Sequence, residues 1–331
     1  MAKKWLAKEI LDISRGFQPA CVLFAAADLD VFTVLRGKSL SAGELAGKIK
    51  TNPRATAVLL NALAALKLLI KVKAKYRMPR GVDDMLTENG SKTVLSGLRH
   101  QANCMRRWVQ LAEVVRTGRP AKRQPSIRGS KDDLISFINA MDNFSSPIAA
   151  GIIGKLGRLK FEHLLDVGGA SGTWTIAFLK AFPKARATLF DLPEVIPLAR
   201  KRIAKSGLRN RVTIIGGDMF KDKLPRDSDF VWLSAIAHQN SRKENQQLFA
   251  KIYSAMKKGG ILAIRDVVMD KSGTRPQTGA LFAVNMLVGT AGGGTYTFDE
   301  FKEDLVRAGF KKIALIHQDE AMNSLIRAQK P

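Results

Sequence analysis

Cysteine and histidine are scarce in this 331-residue chain, which contains two of the first and four of the second. Cys21 and Cys104 lie far apart, and neither stands in a spacing typical of metal ligands. The sequence therefore predicts no disulfide framework and no metal centre. We expect a reduced, cytoplasmic protein.

Long apolar runs and a secretory leader are also missing. No stretch of about 18 uncharged apolar residues occurs, and the N-terminal residues MAKKWLAKEILDIS are charged from the first turn. We therefore expect no membrane span and no signal peptide. The length predicts two domains of ordinary size, and a hydrophobic fraction of 46% is enough to form their cores.

Acidic residues are few, because 29 Asp and Glu stand against 54 Lys and Arg, for a formal net charge of +25. Such a charge favours nucleic acid or another anionic partner. The densest basic stretch, residues 106–131, has Trp108 as its only aromatic residue, so it lacks the aromatic series that stacks on single-stranded nucleic acid. Three interpretations stay open: a solvated basic surface, an anionic substrate, or an anionic partner.

The first part of the chain, residues 1–95, has the pattern of a helical domain with a winged helix. Apolar spacing predicts helices over residues 5–36, broken at Gly16 and Pro19. Apolar positions on more than one face of these helices predict packing across a two-fold axis in a homodimer. Further signals begin two helices and a hairpin, namely Ser41 with Glu44, Asn52-Pro53, and residues 68–76.

Winged helices often bind DNA through the second of these helices. Here its sequence, ATAVLLNALAAL, is apolar nearly all round and offers almost no polar side chain to base edges. A helix of this kind is expected to be buried. We therefore interpret residues 1–95 as a packing and dimerisation module rather than a DNA-binding domain.

The segment His163–Asp191 has the pattern of a βαβ unit. A short apolar run ends in Asp166 and a glycine turn, a helical pattern follows, and a second apolar run ends at Asp191. In such units the ligand binds outside the carboxyl ends of the strands, and an acid ending the second strand accepts ribose hydroxyls. The dinucleotide pattern fails, because Ala170 and Thr173 occupy two of its glycine positions. The structural alternative for each strand-end acid is to cap a neighbouring helix.

Strand and helix patterns keep alternating beyond Asp191, which predicts a doubly wound, largely parallel sheet. Strands are expected at 212–215, 229–235 and 261–268, with a closing strand pair at 310–316 and 323–328. Helices are expected at 193–205, 243–256, 276–287 and 298–308.

A series of motifs follows one another along this part of the chain: DVGGASG (166–172), FDLPEVI (190–196), GGDMF (216–220), LSAIAH (233–238) and KKGGILAIRDVVMD (257–270). With them the chain resembles the S-adenosylmethionine-dependent small-molecule O-methyltransferases, the family of plant caffeate and flavonoid enzymes, acetylserotonin methyltransferases and bacterial tailoring enzymes. The resemblance covers essentially the whole chain. It implies a Rossmann-like, mostly parallel seven-stranded sheet over 161–331, a winged-helix dimerisation domain over 1–95, and linker helices over 96–160 that contribute to a substrate pocket.

The resemblance also assigns site residues. It implies that His238 is the general base and that Asp266 orients it, because a neutral imidazole can remove a hydroxyl proton near neutrality. The residues implied to bind S-adenosylmethionine are Asp166, Gly168, Gly172, Asp191, Leu192, Asp218, Met219, Phe220 and Ser234. Those implied to line the substrate pocket are Met141, Phe144, Asn285 and Met286.

The chain departs from the family pattern at three places around the site. Gln239-Asn240 replace a frequent Asp-Trp, Ser234 replaces a frequent lysine, and Gly294-Thr295-Tyr296 occupy the place of a second carboxylate. Three functions stay open: methylation of a hydroxyl on a small, anionic or neutral molecule by a homodimer; altered chemistry, such as C- or N-methylation; and nucleic-acid binding. Retention of both His238 and Asp266 favours the first, and the apolar recognition helix disfavours the third.

Overall fold

The computed structural model describes residues 3–331, which form two compact units. One unit comprises the described residues up to Arg106 together with Gln124–Asn143, and the other comprises Arg107–Arg123 with Phe144–Pro331. The predicted divisions at residues 95 and 160 are therefore not followed, since the predicted linker is shared between the units. Arg99 shows the reason, because it is 4% exposed and donates to Ala27 O within the first unit at 3.2 Å.

The N-terminal half of the chain is mainly helical. Its elements are α1 (Ala7–Arg15), α2 (Phe17–Asp28), α3 (Val31–Leu35), β1 (Leu40–Ser41), α4 (Ala42–Ile49), α5 (Pro53–Ala65), β2 (Ile70–Val72), β3 (Lys75–Arg77), α6 (Val82–Leu86), α7 (Leu95–Trp108), α8 (Leu111–Thr117), α9 (Ser130–Ser145) and α10 (Ala149–Lys155).

A winged helix is present where the sequence predicts it. The strands β1, β3 and β2 form a small antiparallel sheet beside α4 and α5. Ser41 and Glu44 form the predicted capping box, and Asn52 Oδ1 accepts the Ala55 N–H at 3.0 Å. Tyr76 is 3% exposed and donates its hydroxyl to Asn61 Oδ1 at 2.8 Å, which fixes the hairpin against α5.

The prediction that α5 is buried nearly all round was wrong. Only Thr56, Leu60 and Leu63 are buried on this helix, whereas Val58 is 63% exposed. The helix is apolar on its outer face as well as its inner one. Exposed apolar faces of this kind in soluble proteins mark interaction surfaces.

The predicted break between the first two helices falls at Gly16, between the end of α1 and the start of α2, but the chain hardly changes direction in its backbone angles there. Gly16 keeps right-handed helical angles, and Pro19 lies in the first turn of α2, where a missing N–H costs no hydrogen bond. Ala7–Asp28 is thus a nearly continuous helical stretch of 22 residues. Only 11% of its most apolar 18-residue segment is buried. By length and composition it could cross a membrane, which the sequence analysis did not anticipate.

The second unit is built on the predicted sheet. Its further elements are β4 (His163–Val167), α11 (Thr173–Ala181), β5 (Arg186–Asp191), α12 (Ile196–Lys205), β6 (Val212–Gly216), β7 (Ser228–Ser234), α13 (Arg242–Ala255), β8 (Met256–Asp266), β9 (Val268–Met269), α14 (Gln277–Gly289), β10 (Tyr296–Thr297), α15 (Phe298–Arg307), β11 (Lys311–His317) and β12 (Ser324–Gln329). The helix expected from Pro193 begins at Ile196.

Seven strands form one sheet in the order β11-β12-β8-β7-β4-β5-β6. The five strands from β8 to β6 are parallel, and β12 runs antiparallel to both of its neighbours. The mostly parallel, doubly wound fold is therefore confirmed. Buried side chains of β8 alternate between two cores, with Ile264 on the side of α13 and α15 and Ala263 on the side of α10 and α11. The carboxyl ends of the parallel strands meet at one edge, where the predicted site residues lie.

Candidate active site

The turn between β4 and α11 brings backbone close to its neighbours. Gly168 and Gly172 have φ values of 72° and 81°, in the left-handed region that glycine adopts at little cost. A methyl group on Gly168 would lie 2.5 Å from Ile236 Cδ1, and one on Gly172 would lie 2.9 Å from Ile203 Cδ1. The turn therefore requires glycine for space as well as for conformation.

Asp166 has a structural partner at the end of β4. Its carboxylate is 1% exposed and accepts the N–H and the hydroxyl of Thr175, in the first turn of α11, at 3.1 and 2.6 Å. Burial raises the pKa of Asp166 to about 7, and the hydroxyl hydrogen bond only partly opposes this. The structure thus gives Asp166 the helix-capping role and does not present its carboxylate at the surface where a cofactor would lie.

Asp191 ties the glycine turn to the end of β5. Its Oδ2 accepts the Ala170 N–H at 2.6 Å, and its Oδ1 accepts the Leu192 N–H at 2.7 Å. Burial raises the pKa of Asp191, and these two hydrogen bonds oppose the shift. Each oxygen keeps acceptor capacity, and the residue is only partly buried, so hydroxyls of a ligand could bind there.

Apolar side chains flank this acid and the next strand end. Leu192 and Phe220 are each 39% exposed, and Met219 is half-buried beside Gly168. Asp218 Oδ1 accepts the Phe220 N–H at 2.8 Å, and this hydrogen bond, together with Lys221, lowers the pKa of Asp218. The edge thus offers two carboxylates and open apolar surface next to the glycine turn.

His238 and Asp266 form a buried pair, on a short turn after β7 and at the end of β8. His238 Nδ1 lies 2.8 Å from Asp266 Oδ1, and the His238 N–H donates to Asp266 Oδ2 at 3.2 Å. Asp266 Oδ1 also accepts the Val267 N–H at 2.8 Å. The residues His238 and Asp266 are 5% and 1% exposed. With Nδ1 as the donor to Asp266, the lone pair of Nε2 is left to accept a proton.

Two further elements fix the histidine. The Phe282 ring of α14 meets the His238 ring edge-on, with centroids 4.8 Å apart. The Gly294 N–H donates to His238 O at 2.9 Å, and a methyl group on Gly293 would lie 2.5 Å from that same oxygen. Sequence reasoning missed both contacts, although the glycine run after α14 was a visible signal of close backbone approach.

Tyr296 is the last of the three residues, Gly294 to Tyr296, that stand where the resemblance implies a second carboxylate. Its hydroxyl donates to Asn240 O, and burial raises the pKa of Tyr296 to about 12. The hydroxyl is therefore un-ionised near neutrality and already used in a structural hydrogen bond.

Arg265 lies on the opposite face of β8 from Asp266 and is 5% exposed. Its Nη1 donates to Ser234 Oγ at 3.0 Å, its Nη2 donates to Asn323 Oδ1 at 2.8 Å, and its guanidinium stands 5.0 Å from the Trp174 ring centroid. Burial lowers the pKa of Arg265 to about 10, so it stays charged at neutral pH. Ser234, predicted to contact the cofactor, is thus held in place by an arginine for which the sequence analysis had no role.

The predicted pocket residues belong to both units. Asn285 and Met286 lie on α14, where Asn285 Oδ1 accepts the Trp108 indole N–H at 2.9 Å and Met286 is 7% exposed. Phe144 is 43% exposed, and Met141 belongs to the first unit. Within residues 3–331 no group of three or more His, Cys, Asp or Glu side chains could hold a metal ion.

A mostly parallel seven-stranded sheet, with a tight glycine turn after its first strand and acids after the next two, is typical of S-adenosylmethionine-dependent methyltransferases. The O-methyltransferase domain matches residues 108–311, and the O-methyltransferase dimerisation domain matches residues 11–83. The chain belongs to this O-methyltransferase family. It is an S-adenosylmethionine-dependent O-methyltransferase of small molecules, as the resemblance of its motifs implied.

Individual relatives agree over nearly the whole chain. The tetracenomycin polyketide synthesis 8-O-methyl transferase TcmO of Streptomyces glaucescens is 30% identical, over 92% of this chain and 91% of that protein. The 3-hydroxy-5-methyl-1-naphthoate 3-O-methyltransferase of Streptomyces sahachiroi is 29% identical, over 93% and 90%. The crystal structure of human N-acetylserotonin methyltransferase in complex with S-adenosylmethionine covers 100% of this chain and 99% of that one, with 26% identity and a TM-score of 0.84.

The residues present fit this cofactor. Asp191 keeps acceptor sites for hydroxyls, beside the tight turn that Gly168 and Gly172 make possible. The exposed side chains of Leu192 and Phe220 supply apolar surface of the kind that an adenine ring covers.

Proposed function

We propose that this methyltransferase acts on the hydroxyl of a small aromatic molecule, with His238 as the general base and Asp266 as the residue that orients it. The observation that carries the proposal is the buried contact of 2.8 Å between His238 Nδ1 and Asp266 Oδ1. A carboxylate in this position holds the imidazole in the tautomer whose Nε2 is a proton acceptor and stabilises the imidazolium that forms.

The proposed role of the chain is to bind, orient and deprotonate. S-adenosylmethionine, when bound, supplies the electrophilic methyl group that the acceptor oxygen takes up. His238 Nε2 removes the hydroxyl proton, and Asp266 balances the resulting positive charge. Phe282 and the Gly294 N–H hold the ring and the backbone of His238 from two sides, so the base is positioned before the acceptor arrives.

Cofactor contacts remain our proposal residue by residue. The turn at Gly168 and Gly172 would receive the methionyl part, Asp191 the ribose hydroxyls, and the segment from Asp218 to Phe220 the adenine. The support for these contacts is that two carboxylates and exposed apolar side chains lie next to the glycine turn at the carboxyl ends of the strands. Leu192 and Ser234 lie beside this surface, whereas Asp166 would act indirectly by capping α11.

Replacing His238 tests the proposed base. His238→Gln should lower kcat by about 10²–10⁴-fold, the usual worth of general-base catalysis, with little change in the Kd of S-adenosylmethionine. The measurements are turnover on an accepted phenolic substrate, with product analysis to separate O- from N- or C-methylation, and calorimetry of cofactor binding. His163→Gln is the matched control, because His163 begins β4 at the opposite edge of the sheet and bonds Thr188. Full turnover by His238→Gln would rule out the base.

We further propose that the enzyme is a homodimer joined through its N-terminal helices. The support is that no residue of α1 is buried, even though this segment contains large apolar side chains. Ile10, Ile13 and the nearby Phe17 are each more than half exposed. Together with the matched dimerisation domain, this indicates a face that a second copy would cover. The cytoplasm stays our proposed location, consistent with the absence of a disulfide between Cys21 and Cys104.

Light scattering of the full chain at micromolar concentration tests the dimer. We expect twice the monomer mass for wild type and a shift to monomer for Ile13→Glu, because a charge would be buried in the contact. Lys8→Gln is the control, because it replaces an exposed polar residue of the same helix, and it should leave the dimer intact. A monomeric wild-type chain would contradict the proposal.

A further inference from the structure

One side of α14 makes three contacts at regular intervals within the second unit. Phe282 meets the His238 ring, Asn285 accepts the Trp108 N–H, and Gly289 lies beside Arg107. Residues separated by three, four and seven positions share a face of an α-helix. Phe282 and Gly289 are seven residues apart, which is roughly 10 Å along the axis. The second half of α14 thus reaches from the proposed base, near the middle of the helix, to an arginine at its C-terminal end.

Arg107 is partly buried, yet its guanidinium has no hydrogen-bond or ion-pair partner among residues 3–331. Two other arginines of the same unit that are withdrawn from solvent do have partners. Arg265 donates to Ser234 and Asn323, and Arg211 donates to the carbonyls of Leu179, Phe182 and Ala185. The donors of an arginine without a protein partner are available to water or to an anionic ligand.

Gly289 leaves space for this guanidinium. A methyl group at that position would lie 3.1 Å from Arg107 Nη1, which is tighter than ordinary van der Waals contact. Gly289 is also the last residue of α14, and the partial negative charge of a helix C-terminus attracts a cation. The helix end accounts for where the charge sits, but it leaves the donors of the guanidinium unpaired.

We propose that Arg107 binds the carboxylate of an aromatic hydroxy acid whose hydroxyl lies at His238. This inference rests on the proposed function and adds the substrate class to it. A one- or two-ring aromatic acid would lie along α14, with its anionic group towards Arg107. A carboxylate is the group that a guanidinium binds best, through two parallel N–H···O bonds. The naphthoate named for one relative, 29% identical, belongs to this class.

The test compares an aryl anion with its neutral counterpart. Calorimetry in the presence of saturating S-adenosylhomocysteine would measure the Kd of 1-naphthoate and of 1-naphthol for wild type, Arg107→Gln and Arg107→Lys. We expect wild type to bind naphthoate at least about ten-fold more tightly than naphthol, the ratio that one charge-assisted contact supplies. Arg107→Gln should lose that preference while its naphthol affinity stays within about three-fold. Arg107→Lys should retain part of it.

Arg119→Gln is the matched control, since Arg119 is an exposed arginine in the same basic stretch. It should leave both affinities unchanged. Equal binding of the two probes by wild type would overturn the proposal, and so would an equal loss for both probes in Arg107→Gln, which would mean a structural role. Failure of the proposed function is distinguishable, because it would appear as absent binding of S-adenosylhomocysteine in these samples or, in the separate turnover assay, as full activity of His238→Gln.

Discussion

The carboxyl ends of β4 and β8 carry two aspartates that look alike in sequence and in burial. Asp166 is the next-to-last residue of β4 and Asp266 the last of β8, each is 1% exposed, and each accepts at least one backbone N–H. Their side-chain partners differ. Asp166 accepts the Thr175 hydroxyl and caps α11, whereas Asp266 lies 2.8 Å from the ring of His238. One acid therefore supports a helix and the other supports a titratable group.

The difference shows that the partner, rather than the position, decides what a strand-end acid does. Thr175 cannot supply positive charge, so burial dominates and raises the pKa of Asp166 to about 7. An imidazole can accept a proton and then balance the charge of Asp266. Asp266 therefore has a neighbour through which it can support proton transfer, whereas the neighbour of Asp166 is a hydroxyl that cannot take up a proton in this way.

The largest expected contrast is in turnover. Asp266→Asn should lower kcat by about 10²-fold, because an amide can neither stabilise the imidazolium nor reliably hold the Nδ1–H tautomer. Asp166→Asn should leave kcat within about three-fold, since it keeps a helix-capping oxygen. Steady-state kinetics on one acceptor, normalised to the folded fraction, gives both values. Similar losses in the two variants would mean that the two acids do not differ in role.

A smaller contrast is expected in the pH dependence of stability. An acid whose folded pKa is raised keeps its proton in the folded state after the unfolded state has lost it. Asp166 should therefore make the free energy of unfolding fall as pH rises from about 4 to about 7. In Asp166→Asn this contribution is absent. The difference in free energy of unfolding between wild type and Asp166→Asn should therefore change by about 1–2 kcal/mol between pH 5 and 7. Urea unfolding measures it, and parallel curves would contradict the account.

Much of the fold could be predicted because its signals are local. The capping box at Ser41, the glycine turn at 168–172 and the alternation of strands and helices depend on neighbouring residues, and the structure confirms them. The contact between His238 and Asp266 could not be predicted from local signals, because these residues are 28 positions apart. Resemblance to a family supplied that pairing, and neither spacing nor periodicity could have done so.

Other features depend on packing that the sequence does not encode locally. The apolar pattern of α5 predicts a buried helix, but the unit leaves Val58 exposed, since a pattern does not say whether the covering surface belongs to the same chain. Phe282 meets His238 only because α14 returns over the sheet edge, 44 residues further along the chain. The absence of a partner for the Arg107 guanidinium among residues 3–331 is visible only from the contacts in the folded structure.

The most direct test of the central claim is a double-mutant cycle on His238 and Asp266. If Asp266 acts through the histidine, its amide variant has nothing left to disturb once the base is gone. The kcat of the His238→Gln, Asp266→Asn double variant should then lie within about three-fold of that of His238→Gln alone. Losses that multiply, so that the double variant falls by the product of the two single effects, would show that Asp266 acts independently and would contradict the account.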